Sequence, residues 1–143
     1  MVDLVVESTN GQINETIGSL GQEALADDTK SYIRVTTSED IDTLFGFYFQ
    51  GLHGLNKQSA NRMFSKKYAY PVFEATMSCK RFKFLSGHLA FDDSATRSTR
   101  WRTDRFAAFR QFFEMFDRNY CKHLTPSDYL SLDETFLPNA QAD

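Results

Sequence analysis

The sequence predicts a mainly α-helical protein, on three observations. Apolar and aromatic residues between positions 38 and 124 recur at spacings of three and four. Residues suited to capping a helix, Thr37-Ser38 and Ser78, precede two of these runs. Alternating, strand-like character belongs to a short run near the end, Leu130–Phe136, with at most another extended piece at Tyr32–Val35. The expected organisation is a disordered acidic tail over 1–37, a helical domain over 38–124 and a single strand within 125–143.

The first 37 residues are rich in Gly, Ser, Thr, Asn, Gln and acids, with no aromatic before Tyr32. Leu4, Val5 and Val6 form an apolar run too short to order such a segment, so disorder is expected. A helix then starts near Thr37-Ser38, where Glu39, Asp40 and Asp42 suit the positive end of the helix dipole. Ile41, Leu44, Phe45, Tyr48 and Leu52 form its apolar face, and Gly51 and Gly54 bracket its end. Residues 56–67 are polar and predict one short helix with Met63 and Phe64 inward. Pro71 disfavours helix at the residue before it, and Val72, Phe73 and Met77 suggest another short helical piece.

Ser78 caps a stronger helix carrying the stripe Phe82, Leu85 and Leu89. Lys80, Arg81 and Lys83 crowd its start, against the helix dipole, which costs a few tenths of a kcal/mol each, roughly, and is tolerated where cations serve phosphate contacts or are simply solvated. Residues 92–104 read as a polar loop, with Arg97, Arg100 and Arg102 around the only tryptophan, Trp101. Arginine interleaved with an aromatic can grip a nucleic-acid backbone and stack on a base. The plainer reading has Trp101 anchoring the loop to the core while the arginines pair with Asp92, Asp93 and Asp104. The clearest helix runs from Arg105 to Tyr120. Phe106, Phe109, Phe113, Phe116 and Tyr120 form an unbroken aromatic stripe that is expected to be core.

Composition narrows the class. The chain has 143 residues, enough for one domain, and all fourteen phenylalanines follow position 44. Cys79 and Cys121 are too few for a disulfide framework and read as free thiols of an intracellular protein. No apolar run approaches the roughly 20 residues of a membrane span, and the acidic start is not a secretory signal. The net charge of −3 conceals an asymmetry: residues 1–45 carry −7, residues 46–123 carry +8, and residues 124–143 carry −4. A basic body suits a polyanionic partner, and it equally suits a solvated helical surface.

No Gly-rich phosphate loop, nucleophile elbow or zinc spacing is present. His88 sits among apolar neighbours and reads as a satisfied core histidine. In the strand near the end, Leu130, Leu132, Glu134 and Phe136 share one face while Asp133 points the other way. Asp133 is either on an exposed face or a metal-binding carboxylate on a rigid element.

Several of these segments resemble piggyBac-type transposases. Met77-Ser78-Cys79-Lys80-Arg81-Phe82-Lys83-Phe84-Leu85 resembles the family's M-S-R-x-R-F-x-x-L segment, and His88-Leu89-Ala90-Phe91-Asp92-Asp93 its L-x-F-x-D. Leu124-Thr125-Pro126 and Leu130-Ser131-Leu132-Asp133-Glu134 resemble the Y-T-P-G … L-S-[VI]-D-E segment. The similarity covers roughly residues 41–137. It implies a helical dimerisation and DNA-binding-like domain over Ile41–Leu124, then the first strand of an RNase H-like catalytic domain. It makes Asp133 the first of three aspartates that bind two divalent metals, Mg²⁺ in the parent family. One carboxylate cannot build that cage, so no stable Mg²⁺ binding is expected here.

The family's basic, glycine-containing continuation is replaced by Asn139-Ala140-Gln141-Ala142-Asp143. The expectation is a truncated transposase-derived protein, nuclear by resemblance, that binds DNA or self-associates without catalysing transposition. The DNA contacts expected are Lys80, Arg81, Lys83, Arg97, Arg100, Arg102 and Arg105. The alternative is a protein-interaction module with no nucleic-acid function. An active transposase is the third reading.

Overall fold

The computed structural model describes residues 1–20, 30–54, 60–65, 67 and 71–124. Among these residues the chain runs through α1 (Val2–Ser19), α2 (Ser38–Gly54), α3 (Ala60–Met63), α4 (Pro71–Thr76), α5 (Cys79–His88), α6 (Ser94–Trp101) and α7 (Ala107–His123). They contain no strand, and Tyr32–Val35 is irregular. The strand expected around Asp133 lies outside the described residues.

The mainly helical reading holds, but the acidic tail is a correction: residues 2–19 form α1 and enter the core. Val5, Thr9 and Ile13 are fully buried. Their spacing of four places them on one face of a helix, against α2 and α5. Polar residues that suggest a solvated tail here bond internally. The Asn10 side chain donates to the Thr36 carbonyl at 3.0 Å and accepts from the Thr36 amide at 2.7 Å. The Thr9 hydroxyl accepts from the Ala90 amide at 3.2 Å and approaches its carbonyl at 3.4 Å. A helix of such weak propensity is held by packing rather than by its own turns.

α2 and α5 begin as expected. The Thr37 hydroxyl accepts from the Asp40 amide at 3.3 Å, and the Ser78 hydroxyl accepts from the Arg81 amide at 3.2 Å. Ile13 of α1 meets Leu44 and Phe47 of α2, Met63 of α3, Phe73 of α4, and Phe82 and Leu85 of α5, with Met77 between α4 and α5. Phe47 lies at the centre of this cluster, its ring 4.7 Å from that of Phe73 and 5.8 Å from those of Phe64 and Phe82. His88 joins α5 to α1: Nε2 lies 2.9 Å from the Thr16 hydroxyl and Nδ1 2.8 Å from the Phe84 carbonyl. It is the satisfied histidine that its apolar neighbours suggested.

Two further expectations are corrected. Residues 94–101, read as loop, form α6. The Asp93 side chain accepts from the Ala95 amide at 2.9 Å and caps it, and Asp92 then reaches Arg97 and Arg100 along one face. The aromatic stripe of α7 is not core: Phe106 and Phe109 are half-buried and the rest is exposed. Phe91 packs on Phe109 and Phe112 at 5.2 and 4.8 Å. Phe113, Phe116 and Tyr120 are 47%, 46% and 50% exposed. Nothing among the described residues reaches across the outer half of α7 to cover them.

Candidate nucleic-acid interface

The basic side chains expected to contact DNA separate into an inward and an outward set. Arg81 belongs inside. It is 4% exposed, and its guanidinium donates to the carbonyls of Tyr32 (2.9 Å), Arg34 (2.6 Å) and Val35 (3.0 Å). It also donates to Asp40 Oδ2 at 2.8 Å, which Arg34 shares at 2.9 Å. Burial lowers the Arg81 pKa, against the opposing pull of Asp40. Burial would raise the Asp40 carboxyl, but its bonds to Arg81 and Arg34 outweigh that and hold it below the usual carboxylate range. This clasp binds residues 32–35 to the start of α5. Arg81 therefore has no free face for a phosphate.

Arg97 and Arg100 are half-committed. Both reach Asp92, which is 2% exposed, with Arg100 at 2.7 Å. Arg100 also donates to the carbonyls of Asp93 and Ala107, each at 2.9 Å, tying α6 to α7. Burial pushes the Asp92 carboxyl up, but the two guanidinium bonds prevail and its pKa is lowered. The same bond raises the pKa of Arg97. At the next turn Arg110 binds Asp104, and that contact, with the Phe106 amide, holds the Asp104 carboxyl down to about 2. The plainer sequence reading, arginines paired with neighbouring aspartates, describes Arg97 and Arg100.

Lys80, Lys83, Arg102 and Arg105 form the outward set. All four are exposed, and none has a carboxylate partner among the described residues. Lys80 lies over the Tyr32 ring, 5.9 Å from its centroid, and Lys83 donates to the Asn61 side chain. Arg105 stacks on Trp101, its guanidinium carbon 3.7 Å from the ring centroid. Trp101 is 40% exposed, so it does not anchor the α6–α7 turn to the core as the plainer reading has it. The stack was not legible in the sequence because Trp101 and Arg105 lie four positions apart across a helix end that the sequence does not predict. The signal available was Asp93-Ser94 as a cap, with Arg97, Arg100 and Trp101 spaced along one short helix.

Asp133, the candidate catalytic and metal-binding carboxylate, lies outside the described residues. Among those described, no three His, Cys, Asp or Glu side chains converge on a point that could hold a metal ion. No helix among them is long and apolar enough to cross a membrane.

No curated protein and no solved structure matches the chain. A family profile described as Transposase IS4 matches residues 1–142, and so takes in α1 as well as the basic helices. With a buried α1, a helical core and an outward basic set all inside that match, the chain belongs to the Transposase IS4 family.

Proposed function

We propose that this chain is the helical part of a piggyBac-type transposase-derived protein and that it binds duplex DNA through Lys80, Lys83, Arg102 and Arg105. The observation that carries this reading is the division of the cations. Arg81, Arg97, Arg100 and Arg110 each have a carboxylate partner, whereas Lys80, Lys83, Arg102 and Arg105 have none among the described residues. Unneutralised cations on a folded surface gain most from phosphates, which bring charge without an enclosed pocket. The family match and the segments around Ser78–Leu85 and Leu130–Glu134 support the same reading. In it, Asp133 corresponds to the first of the three Mg²⁺-binding aspartates of the parent family, the site is incomplete and holds no stable Mg²⁺, and the protein is nuclear.

The test is fluorescence anisotropy of a labelled duplex across a salt series. Affinity should fall steeply with salt, and Lys80→Glu with Lys83→Glu should reduce the slope of log affinity against log salt by about one per lost phosphate contact. Arg97→Glu should change stability more than that slope. Absence of duplex binding at about 50 mM salt overturns the reading.

One observation favours a second reading, a self-associating module. Phe113, Phe116, Tyr120 and Leu124 are exposed along one side of α7, and contiguous apolar surface of this kind drives association. Sedimentation at rising concentration, with and without DNA, separates the two: a DNA-independent rise in mass supports the module.

A further inference from the structure

The chain's single tryptophan is the last residue of α6, where the turn to α7 begins. The backbone of that turn is fixed from both directions. The Thr103 and Asp104 amides both donate to the Arg100 carbonyl, at 3.2 and 2.9 Å, and the Thr103 hydroxyl joins them at 3.1 Å. Arg100 itself is tied to Asp92, Asp93 and Ala107. On the far side, Asp104 Oδ1 accepts from the Phe106 amide at 2.9 Å. The ring borne by this rigid turn is not core: it is 40% exposed, and Arg105 makes the ring contact that the structure records for it.

The charges around it are unevenly satisfied. Arg97 and Arg100 share Asp92, and Arg110 takes Asp104. Arg102 and Arg105, which follow Trp101 in the chain, meet no carboxylate among the described residues. An exposed indole covered by a guanidinium, with a second free arginine beside it, has the chemistry of a base-stacking platform. A nucleobase can stack on the exposed part of the ring or take the place of the Arg105 guanidinium on its face, and the arginines meet its phosphate. A base inside a duplex cannot use such a surface, because its own neighbours cover both faces. The ligand is therefore an unstacked base.

We propose that Trp101, with Arg102 and Arg105, binds an unpaired nucleobase, so that the protein prefers DNA with a single-stranded segment to fully paired DNA. The proposal rests on the DNA-binding reading above and names the form of DNA that the same surface takes.

The lone tryptophan makes the test direct. A labelled hairpin with a tail of unpaired thymines is compared with the same hairpin made blunt, by anisotropy for binding and by protein emission for Trp101. The tailed hairpin should bind more tightly and quench the emission more. Trp101→Leu should lose the preference for the tail, roughly five- to a hundredfold, while Trp101→Phe retains most of it. Helical circular dichroism should be unchanged in both, as the side chain lies outside the core. Equal binding of the two hairpins with unmoved emission overturns the proposal and leaves the duplex-binding reading standing. No binding of either hairpin at low salt overturns both.

Discussion

α1 and the outer half of α7 invert what their sequences suggest. α1 has two glycines, no aromatic and a string of polar residues, yet it buries Val5, Thr9 and Ile13 completely. α7 carries a regular aromatic stripe, yet Phe113, Phe116 and Tyr120 remain about half exposed. Periodicity reports that a helix has one face suited to burial. It does not report whether another element of the same chain reaches that face. α1 succeeds because α2 and α5 bracket it, and because Thr9, Asn10 and Thr16 find partners on Ala90, Thr36 and His88. α7 packs where Phe91 and α6 meet it and has no such neighbour further along among the described residues.

Ile13→Ala strikes the first half of this comparison and should have the largest effect, about 2–5 kcal/mol of stability, because a fully buried isoleucine is replaced by a cavity. Urea unfolding measures it. A loss under about 0.5 kcal/mol, the range of surface substitutions, would mean that α1 is not part of the core.

Acid comes next. Asp40 fastens residues 32–35 to α5, while Asp92 and Asp104 fasten α6 to α7 and its turn. All three carboxyls are held below their ordinary values in the folded protein. The unfolded chain therefore takes up these protons first as pH falls. The stabilisation is complete above an unfolded pKa of about 4 and is lost towards pH about 2. Thermal melts between these limits should show a falling midpoint. Asp92→Asn should flatten part of that fall, and an unchanged midpoint in the wild type would remove the role given to these pairs.

The smallest effect tests the other half. Phe113→Ala should cost about 1 kcal/mol or less in the monomer, as the ring is half exposed and packs edge-on or tilted against Phe106 and Phe109. A loss near the roughly 3–5 kcal/mol of a buried phenylalanine would show that the outer face of α7 is covered in solution. A dependence of that loss on protein concentration would identify the cover as a second copy.

Helix starts were the most legible part of the fold. Thr37 and Ser78 cap as their positions require, since a hydroxyl meeting a free amide is a local event within one turn. The core around Leu44, Phe73, Phe82 and Leu85 was legible for a similar reason, since each lies on an apolar face visible within its own segment; Phe47 was not, because the face expected of α2 ran through Tyr48, which is exposed. α6 was not legible, because what holds it is a buried aspartate ahead of its first turn and two arginines beyond it. The candidate surface was half legible. Its seven cations could be named from sequence, but which of them are free depends on where the aspartates fold.

The sequence by itself determined a helical protein, the apolar positions Ile41 and Leu44 of α2 and Phe82 and Leu85 of α5, and the basic segment that any anionic partner would meet. Those properties rest on residue type, spacing and charge, which no fold can alter. Tertiary structure alone decided that α1 is core, that Arg81 is an internal clasp, that Trp101 faces outward beside two unpaired arginines, and that the end of the aromatic stripe is bare. Each of these is a contact between residues distant in sequence or the lack of one among the described residues, and only the folded arrangement sets which groups meet.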